Sequence, residues 1–145
     1  MSRLTDTKRA YEQIATLLDQ EILKKKGNTK DLERFRESLD VAFYLLAFSQ
    51  FEHLVKREAK EVIEQHAAVR NMDSRAWQYM LGNLKAVPLR KQLDVIFHGD
   101  DKLLLSLHKD YDVRNDAAHD YKLLPKEARI ISDWVQSLED LISRF

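Results

Sequence analysis

Apolar residues recur at steps of three and four along most of the chain, which is the spacing of one face of an α-helix. The first stripe predicts a helix over Thr5–Lys26, and the next predicts a long helix over Lys30–Val69. Gly27 separates them, because glycine readily adopts the left-handed conformation that ends a helix. Asn28 and Thr29 offer side-chain oxygens that can cap the second helix.

The second half of the chain predicts shorter elements. One short helix is expected over Arg75–Leu81, and another between Pro88 and Gly99. Asp100 and Asp101 then open a helix that runs beyond residue 111, because acidic residues suit the amino end of a helix. The last helix, predicted to begin at Pro125, carries the cleanest stripe: Ile131, Trp134, Val135, Leu138, Leu141, Ile142 and Phe145.

No stretch alternates convincingly with a period of two, and the chain has only three glycines and two prolines. Strands joined by tight turns need more of both residues. The pattern therefore predicts an all-α fold: an antiparallel, up-and-down bundle of four main helices with a short helical insert. Residues 1–145 are expected to form a single domain, since this length is sufficient for one hydrophobic core.

Within the second helix, the stripe widens to the whole circumference over Val41–Phe48. A helix that is apolar on every side has to be covered on every side. Either other helices of the same chain cover this segment or a second subunit does. The second alternative is the first indication of a homodimer.

The composition limits the classes of function that the chain can have. The chain has 24 basic and 24 acidic residues, so its formal net charge is zero. Proteins that grip long nucleic acids usually carry a basic excess, so any RNA contact is expected to be local. Cysteine is absent, which excludes disulfides and thiol catalysis. The first residues lack the apolar region of a signal peptide. The longest apolar run, Val41–Phe48, has only eight residues, which cannot span a bilayer. We expect a soluble cytoplasmic protein without membrane contact.

Several kinds of site are not supported. His53 and His66 are thirteen residues apart, and no His-Glu-x-x-His occurs. The chain also lacks a glycine-rich phosphate loop and a Gly-x-Ser-x-Gly motif. We therefore predict no metal site and no cofactor. The basic groups around Lys56 and Lys91 are interpreted as solvated helix faces with acids beside them rather than as an RNA path.

Residues 114–121 read Arg-Asn-Asp-Ala-Ala-His-Asp-Tyr. This stretch places a permanent cation, an amide and a side chain that titrates near neutral pH within about two helical turns. Such groups can hold a phosphate and move a proton. The plainer alternative makes Arg114 a partner of Asp110 or Asp112, and makes His119 a cation at a helix carboxyl end.

The run from Arg114 through Asn115 to His119 resembles the signature of the HEPN superfamily, in which a polar residue follows an arginine and a histidine comes four to six residues after it. The helix order, with a long second helix containing Phe51 and Glu52 before a motif helix, is also similar. A tyrosine two residues after the histidine, here Tyr121, resembles a subset of HEPN toxins. In that subset a partner nucleotidyltransferase antitoxin modifies the tyrosine; the alternative is a packing tyrosine at a helix end.

The resemblance implies a metal-independent endoribonuclease that acts as a symmetric homodimer, either as a toxin or as a phage-defence effector. Arg114 would bind the scissile phosphate of the RNA, and His119 would act as general base or acid. Asn115 would fix the imidazole tautomer or donate to phosphate, while Asp116 is the other candidate for orienting the ring.

Two alternatives remain open. One is a non-catalytic HEPN-like module that binds RNA, a nucleotide or a protein, and the other is a helical scaffold with a purely structural motif. Glu52 lies in an apolar stretch, where a carboxylate needs a partner. It either pairs with Arg114 or another arginine, or lies at the bundle surface.

Overall fold

A computed structural model describes residues 3–125 and 130–145. These residues form six α-helices and no strand. The helices are α1 (Arg3–Lys24), α2 (Lys30–Ala67), α3 (Ser74–Gly82), α4 (Leu89–Phe97), α5 (Asp101–His119) and α6 (Ile131–Ile142), with a 3₁₀ turn at Leu84–Ala86 between α3 and α4. The predicted all-α class is confirmed.

The ends of α1, α2 and α5 follow local chemistry. Gly27, three residues beyond the end of α1, has a φ of 113°, which glycine adopts without the steric cost of a Cβ. The backbone N–H of Lys30 donates to Asn28 Oδ1 at 2.9 Å, which satisfies one of the unpaired donors at the start of α2. Asp100 does the same for α5, because its Oδ1 accepts from the N–H of Leu103 at 3.1 Å.

The predicted start of the last helix is wrong. Pro125 lies in an irregular segment, and α6 begins at Ile131. The first hydrogen bond of α6 runs from the N–H of Trp134 to the carbonyl oxygen of Ile130 at 2.9 Å. The fixed φ of proline suits an extended segment as well as a first helical turn, so it does not by itself start a helix. Residues 126–129, which the prediction also covers, lie outside the described residues.

The chain divides into two compact units. Unit one comprises Met1–Phe51 and Tyr111–Arg144, and unit two comprises Glu52–Asp110 with Phe145. The boundaries after Phe51 and after Asp110 fall inside α2 and α5. The assignment of residues 1–145 to one domain stays a prediction. Within the described ranges, no helix combines the length and apolar content needed to cross a membrane.

Unit one is a helical bundle. Tyr11 of α1 donates to Asp40 of α2 at 2.7 Å, and Thr5 donates to Glu139 of α6 at 2.7 Å. In the core, the rings of Tyr44 and Trp134 stack with their centroids 4.1 Å apart. The predicted helical bundle is therefore confirmed in unit one, whereas the predicted count of four main helices agrees only loosely with the six α-helices described.

The apolar segment Val41–Phe48 is only partly covered within unit one. Tyr44, Ala47 and Phe48 are buried. Ala42 is exposed on the other side of α2, and Leu46 keeps 46% of its surface exposed. Helices of the same chain thus cover one side of this segment, and the other side faces outward in a single copy.

Unit two is built around the second half of α2 and the helices of the insert. Its core contains the fully buried side chains of Val55, Ala59, Ile63 and Leu93. Phe97, at the end of α4, and Leu107 of α5 are buried in the same unit. The rings of His66 on α2 and Trp77 on α3 lie against each other, with centroids 4.5 Å apart.

Candidate functional site

The predicted motif occupies the last two turns of α5, and His119 is the final helical residue. The ring of Tyr111 stacks on the buried Phe48 of α2 at a centroid distance of 6.0 Å, which anchors this part of α5 in unit one. Successive residues of an α-helix are rotated by about 100°. An arc of about 140° of the α5 surface therefore carries, in order around the helix, Arg114, Tyr111, Asn115 and His119. Arg114 lies at one edge of the arc and His119 at the other.

Arg114 is held by its neighbours on this arc. Its Nη1 donates to Asn115 Oδ1 at 2.8 Å. Its guanidinium carbon lies 5.8 Å from the centroid of the Tyr111 ring, within the range of a cation–π contact. Both contacts tie the guanidinium of the half-buried Arg114 to residues that lie between it and His119 on the arc.

The predicted orienting residues do not hold the imidazole in one copy of the chain. Asn115 Oδ1 accepts from Arg114, so the amide serves the arginine. Asp116 is exposed, and its main-chain carbonyl accepts the N–H of Asp120 at 3.0 Å. Among the residues that the structure describes, none makes a hydrogen bond or ion pair with the exposed ring of His119. A single copy therefore leaves the tautomer of this histidine unset.

Tyr121 follows the helix in an unusual conformation. Its φ is 54°, the only positive value at a non-glycine residue in the described ranges. Helices commonly end on such a residue, but glycine is usual there because a Cβ makes the left-handed region unfavourable. The side chain is 90% exposed, so it does not pack against the described part of its own chain. Leu123, two residues further on, is 59% exposed.

Glu52, the remaining predicted site residue, belongs to unit two and is mostly buried. Its carboxylate forms an ion pair with Lys56, one turn further along α2, at 2.8 Å. Lys60 and Lys91 likewise lie 3.6 Å from the acidic groups of Glu64 and Asp94. These pairs are the arrangement expected of solvated helix faces.

Unit two also contains a cleft that the sequence does not reveal. Its volume is about 720 Å³. Its lining includes His66 of α2, Trp77 of α3, and Lys91, Asp94 and His98 from α4 and the residue after it. These residues come from three separate helical regions, and no local spacing in the sequence marks them as a group.

In the described ranges, no three histidine and acidic side chains lie close enough together to hold a metal ion. In comparisons with known proteins, no family model, curated protein or solved structure matches this chain. The resemblance to HEPN proteins therefore rests on the motif residues and on the order of the helices.

Proposed function

We propose that this protein is a HEPN-like, metal-independent endoribonuclease that acts as a symmetric homodimer. The observation that carries the proposal is the arc at the end of α5. There the Arg114 guanidinium is bonded to Asn115, and Asn115 lies one turn before the exposed His119. An anchored cation and an exposed imidazole on one arc of a helix are two of the groups that cleavage of RNA by its own 2′-hydroxyl requires.

The proposed reaction uses the 2′-hydroxyl of the RNA as nucleophile. One imidazole accepts the hydroxyl proton while the 2′-oxygen bonds to phosphorus and the bond from phosphorus to the 5′-oxygen breaks. A second imidazole, in its protonated form, donates a proton to the leaving 5′-oxygen. The products are a cyclic 2′,3′-phosphate and a 5′-hydroxyl. Arg114 binds the phosphate oxygens on which negative charge increases during the reaction.

A homodimer supplies the second imidazole. One copy contributes only His119 at this position, and a two-fold axis beside the end of α5 would bring in the same residue of a second copy. Unit one leaves Leu46, Tyr121 and Leu123 substantially exposed, which is apolar surface that partner chains can cover. The exposed ring of His119, which none of the described residues orients, is also suited to acquiring its orienting contact from a second copy.

The biological role that fits such an enzyme is that of a toxin or a phage-defence effector. In the toxin case, Tyr121 is the acceptor on which a nucleotidyltransferase antitoxin acts. The side chain, 90% exposed, is accessible to a modifying enzyme. Incubation with a nucleotidyltransferase encoded beside this protein, with Mg²⁺ and ATP, is expected to add nucleotide mass to the chain but not to its Tyr121→Phe variant.

A non-catalytic RNA-binding module is the second candidate. It is favoured by one observation, namely that nothing described in a single copy orients the His119 ring, whereas catalytic histidines are usually held by a partner. This candidate uses Arg114 and Asn115 as a phosphate-binding pair and leaves His119 without a proton-transfer role.

Incubation of the purified protein with total RNA distinguishes the two candidates. The enzyme is expected to cleave RNA equally with and without chelator, to leave cyclic 2′,3′-phosphate ends, and to lose cleavage in His119→Ala and Arg114→Ala. His53→Ala and Arg75→Ala, which alter exposed residues elsewhere, serve as matched controls and are expected to cleave normally. RNA binding without cleavage, lost in Arg114→Ala alone, would replace the enzyme by the binding module.

A further inference from the structure

We propose that the cleft of unit two binds a nucleobase that carries a phosphate. The cleft has a volume of about 720 Å³, within the usual range of small-ligand sites. Its floor is apolar and half-buried, formed by Val62, Trp77, Met80 and Val95. Such a floor suits the face of a flat aromatic ring rather than a chain of charged groups.

His66 lines this cleft and has a defined tautomer. Its Nδ1 lies 2.8 Å from the carbonyl oxygen of Val62, one turn earlier on α2. A carbonyl oxygen only accepts hydrogen bonds, so Nδ1 carries the proton. In the neutral ring, Nε2 is then an acceptor. Contact with the Trp77 ring at a centroid distance of 4.5 Å further restricts the imidazole.

His98 repeats the same arrangement at the end of α4. Its Nδ1 lies 2.9 Å from the carbonyl oxygen of Val95, which again leaves Nε2 as an acceptor in the neutral ring. The cleft is thus lined by two imidazoles, from different helical regions, that have the same tautomer for the same reason. Each is suited to accept a hydrogen bond from an N–H group of a ligand.

Asp94 and Lys91 complete the polar part of the lining. The Asp94 carboxylate lies 3.3 Å from His108 Nε2 and 3.6 Å from Lys91 Nζ. It adds a third acceptor to the cleft. Lys91 is exposed and provides a cation at the same lining, where a phosphate attached to the ligand can bind.

A nucleobase matches these features together. Its two faces are apolar and stack on aromatic side chains, while its edge carries N–H donors for the acceptors of His66, His98 and Asp94. A purely aliphatic ligand would leave these acceptors without partners. The base can come from a free nucleotide or from a base of an RNA strand, because both present the same ring and a phosphate.

Fluorescence of Trp77 tests the proposal. The chain has two tryptophans, and Trp134 lies in the core of unit one, so Trp134→Phe leaves Trp77 as the only reporter. Titration with AMP or GMP is expected to quench it in a saturable manner, and ribose 5-phosphate is expected to leave it unchanged. Near-ultraviolet circular dichroism of the protein with both tryptophans provides the same test should Trp134→Phe fail to fold.

Two variants make the test specific. His66→Ala combined with His98→Ala is expected to weaken binding about tenfold, because two hydrogen bonds are lost. His53→Ala, which changes an exposed histidine on the same helix α2, is the matched control and is expected to bind normally. Equal binding by all three proteins, or quenching by ribose 5-phosphate, would overturn the proposal.

The source of the base follows from a second titration with a single-stranded RNA hexamer. Saturable binding of AMP or GMP indicates a free nucleotide, while binding of the hexamer alone indicates a base of an RNA strand. If neither ligand quenches Trp77, the proposal is wrong. The inference does not rest on cleavage: His119→Ala is expected to keep this binding, so loss of the enzyme proposal and loss of the cleft proposal are distinguishable.

Discussion

Imidazoles occupy two different kinds of setting in this protein. In the cleft of unit two, His66 and His98 each hold Nδ1 against a backbone carbonyl one turn or less away. At the end of α5 in unit one, none of the described residues holds the exposed ring of His119. The first setting fixes the tautomer within one chain, and the second does not.

This difference indicates different uses of the same side chain. A fixed tautomer suits recognition, because the ligand always meets the same acceptor. An exposed imidazole without an orienting contact suits proton transfer once a further contact orients it. The cleft is therefore expected to work in a single chain, whereas the motif of α5 is expected to need a second copy.

Removal of the His119 imidazole is expected to have the largest effect on activity. His119→Ala should lower the rate of RNA cleavage by about 10²–10⁴-fold, the usual contribution of a general acid or base. AMP binding at the cleft should change by less than about twofold, because no hydrogen bond there is lost. Cleavage assays and Trp77 fluorescence on the same preparation measure both. A large loss of AMP binding would contradict the claim that the cleft works independently of the α5 motif.

The α5 motif and the cleft can be compared only at pH values at which the protein stays folded. Titration of Tyr11 sets the upper limit of that pH range. Burial, together with its hydrogen bond to Asp40, raises the pKa of Tyr11 from 10.0 to about 12. The neutral phenol is thus favoured in the folded state, and this stabilisation is complete below pH 10 and is lost as pH rises towards 12.

We expect the free energy of unfolding to fall by up to about 3 kcal/mol across that interval. Urea denaturation at a series of pH values measures it. Tyr11→Phe is the control, and its stability should vary much less between pH 10 and 12. An equally steep decline in this variant would assign the effect to other groups.

Dilution of the protein distinguishes the α5 motif from the cleft without any substitution. Below the dissociation constant of the dimer, cleavage activity per mole of protein should fall about tenfold for each tenfold dilution, because the dimer concentration follows the square of the monomer concentration. The affinity for AMP should stay constant. Activity per mole that is independent of concentration, in a protein shown to be monomeric by sedimentation, would exclude a shared site.

The conformation of Tyr121 gives the smallest expected effect. Glycine adopts a φ of 54° without the steric cost that a Cβ imposes, but it also makes the unfolded chain more flexible. Tyr121→Gly is expected to raise the free energy of unfolding by about 0.5–1 kcal/mol, measured by urea denaturation. Tyr121→Phe, which keeps the Cβ, should leave it unchanged. Loss of stability in Tyr121→Gly would mean that the exposed ring has a stabilising partner.

Local signals in the sequence predicted much of the fold. Asn28 and Asp100 cap the starts of α2 and α5 as their side chains suggest, and Gly27 takes the positive φ expected after α1. The alternative that puts His119 at a helix carboxyl end agrees with its position as the last residue of α5. Each of these features depends on a few neighbouring residues, which is why the sequence alone predicts it.

Features that depend on side-chain conformation, on the choice between two local backbone conformations, or on tertiary packing were not predictable. Residues next to each other on a helix do not normally face one another, yet the long side chain of Arg114 reaches the amide of Asn115. Pro125 was compatible with both a helix start and an extended segment. The cleft brings together His66, Trp77 and His98 from separate helical regions, and only the packing of unit two shows it.

The central claim is that two copies of His119 meet beside a two-fold axis. The chain contains no cysteine, so Asp120→Cys gives a single attachment site for a spin label next to this residue. Pulsed electron–electron dipolar spectroscopy, at protein concentrations that support RNA cleavage, measures the distance between the two labels. We predict a distance below about 25 Å, since each label would lie within about one helix diameter of the axis. A distance above about 40 Å, or no dipolar coupling while the protein cleaves RNA, would contradict the account.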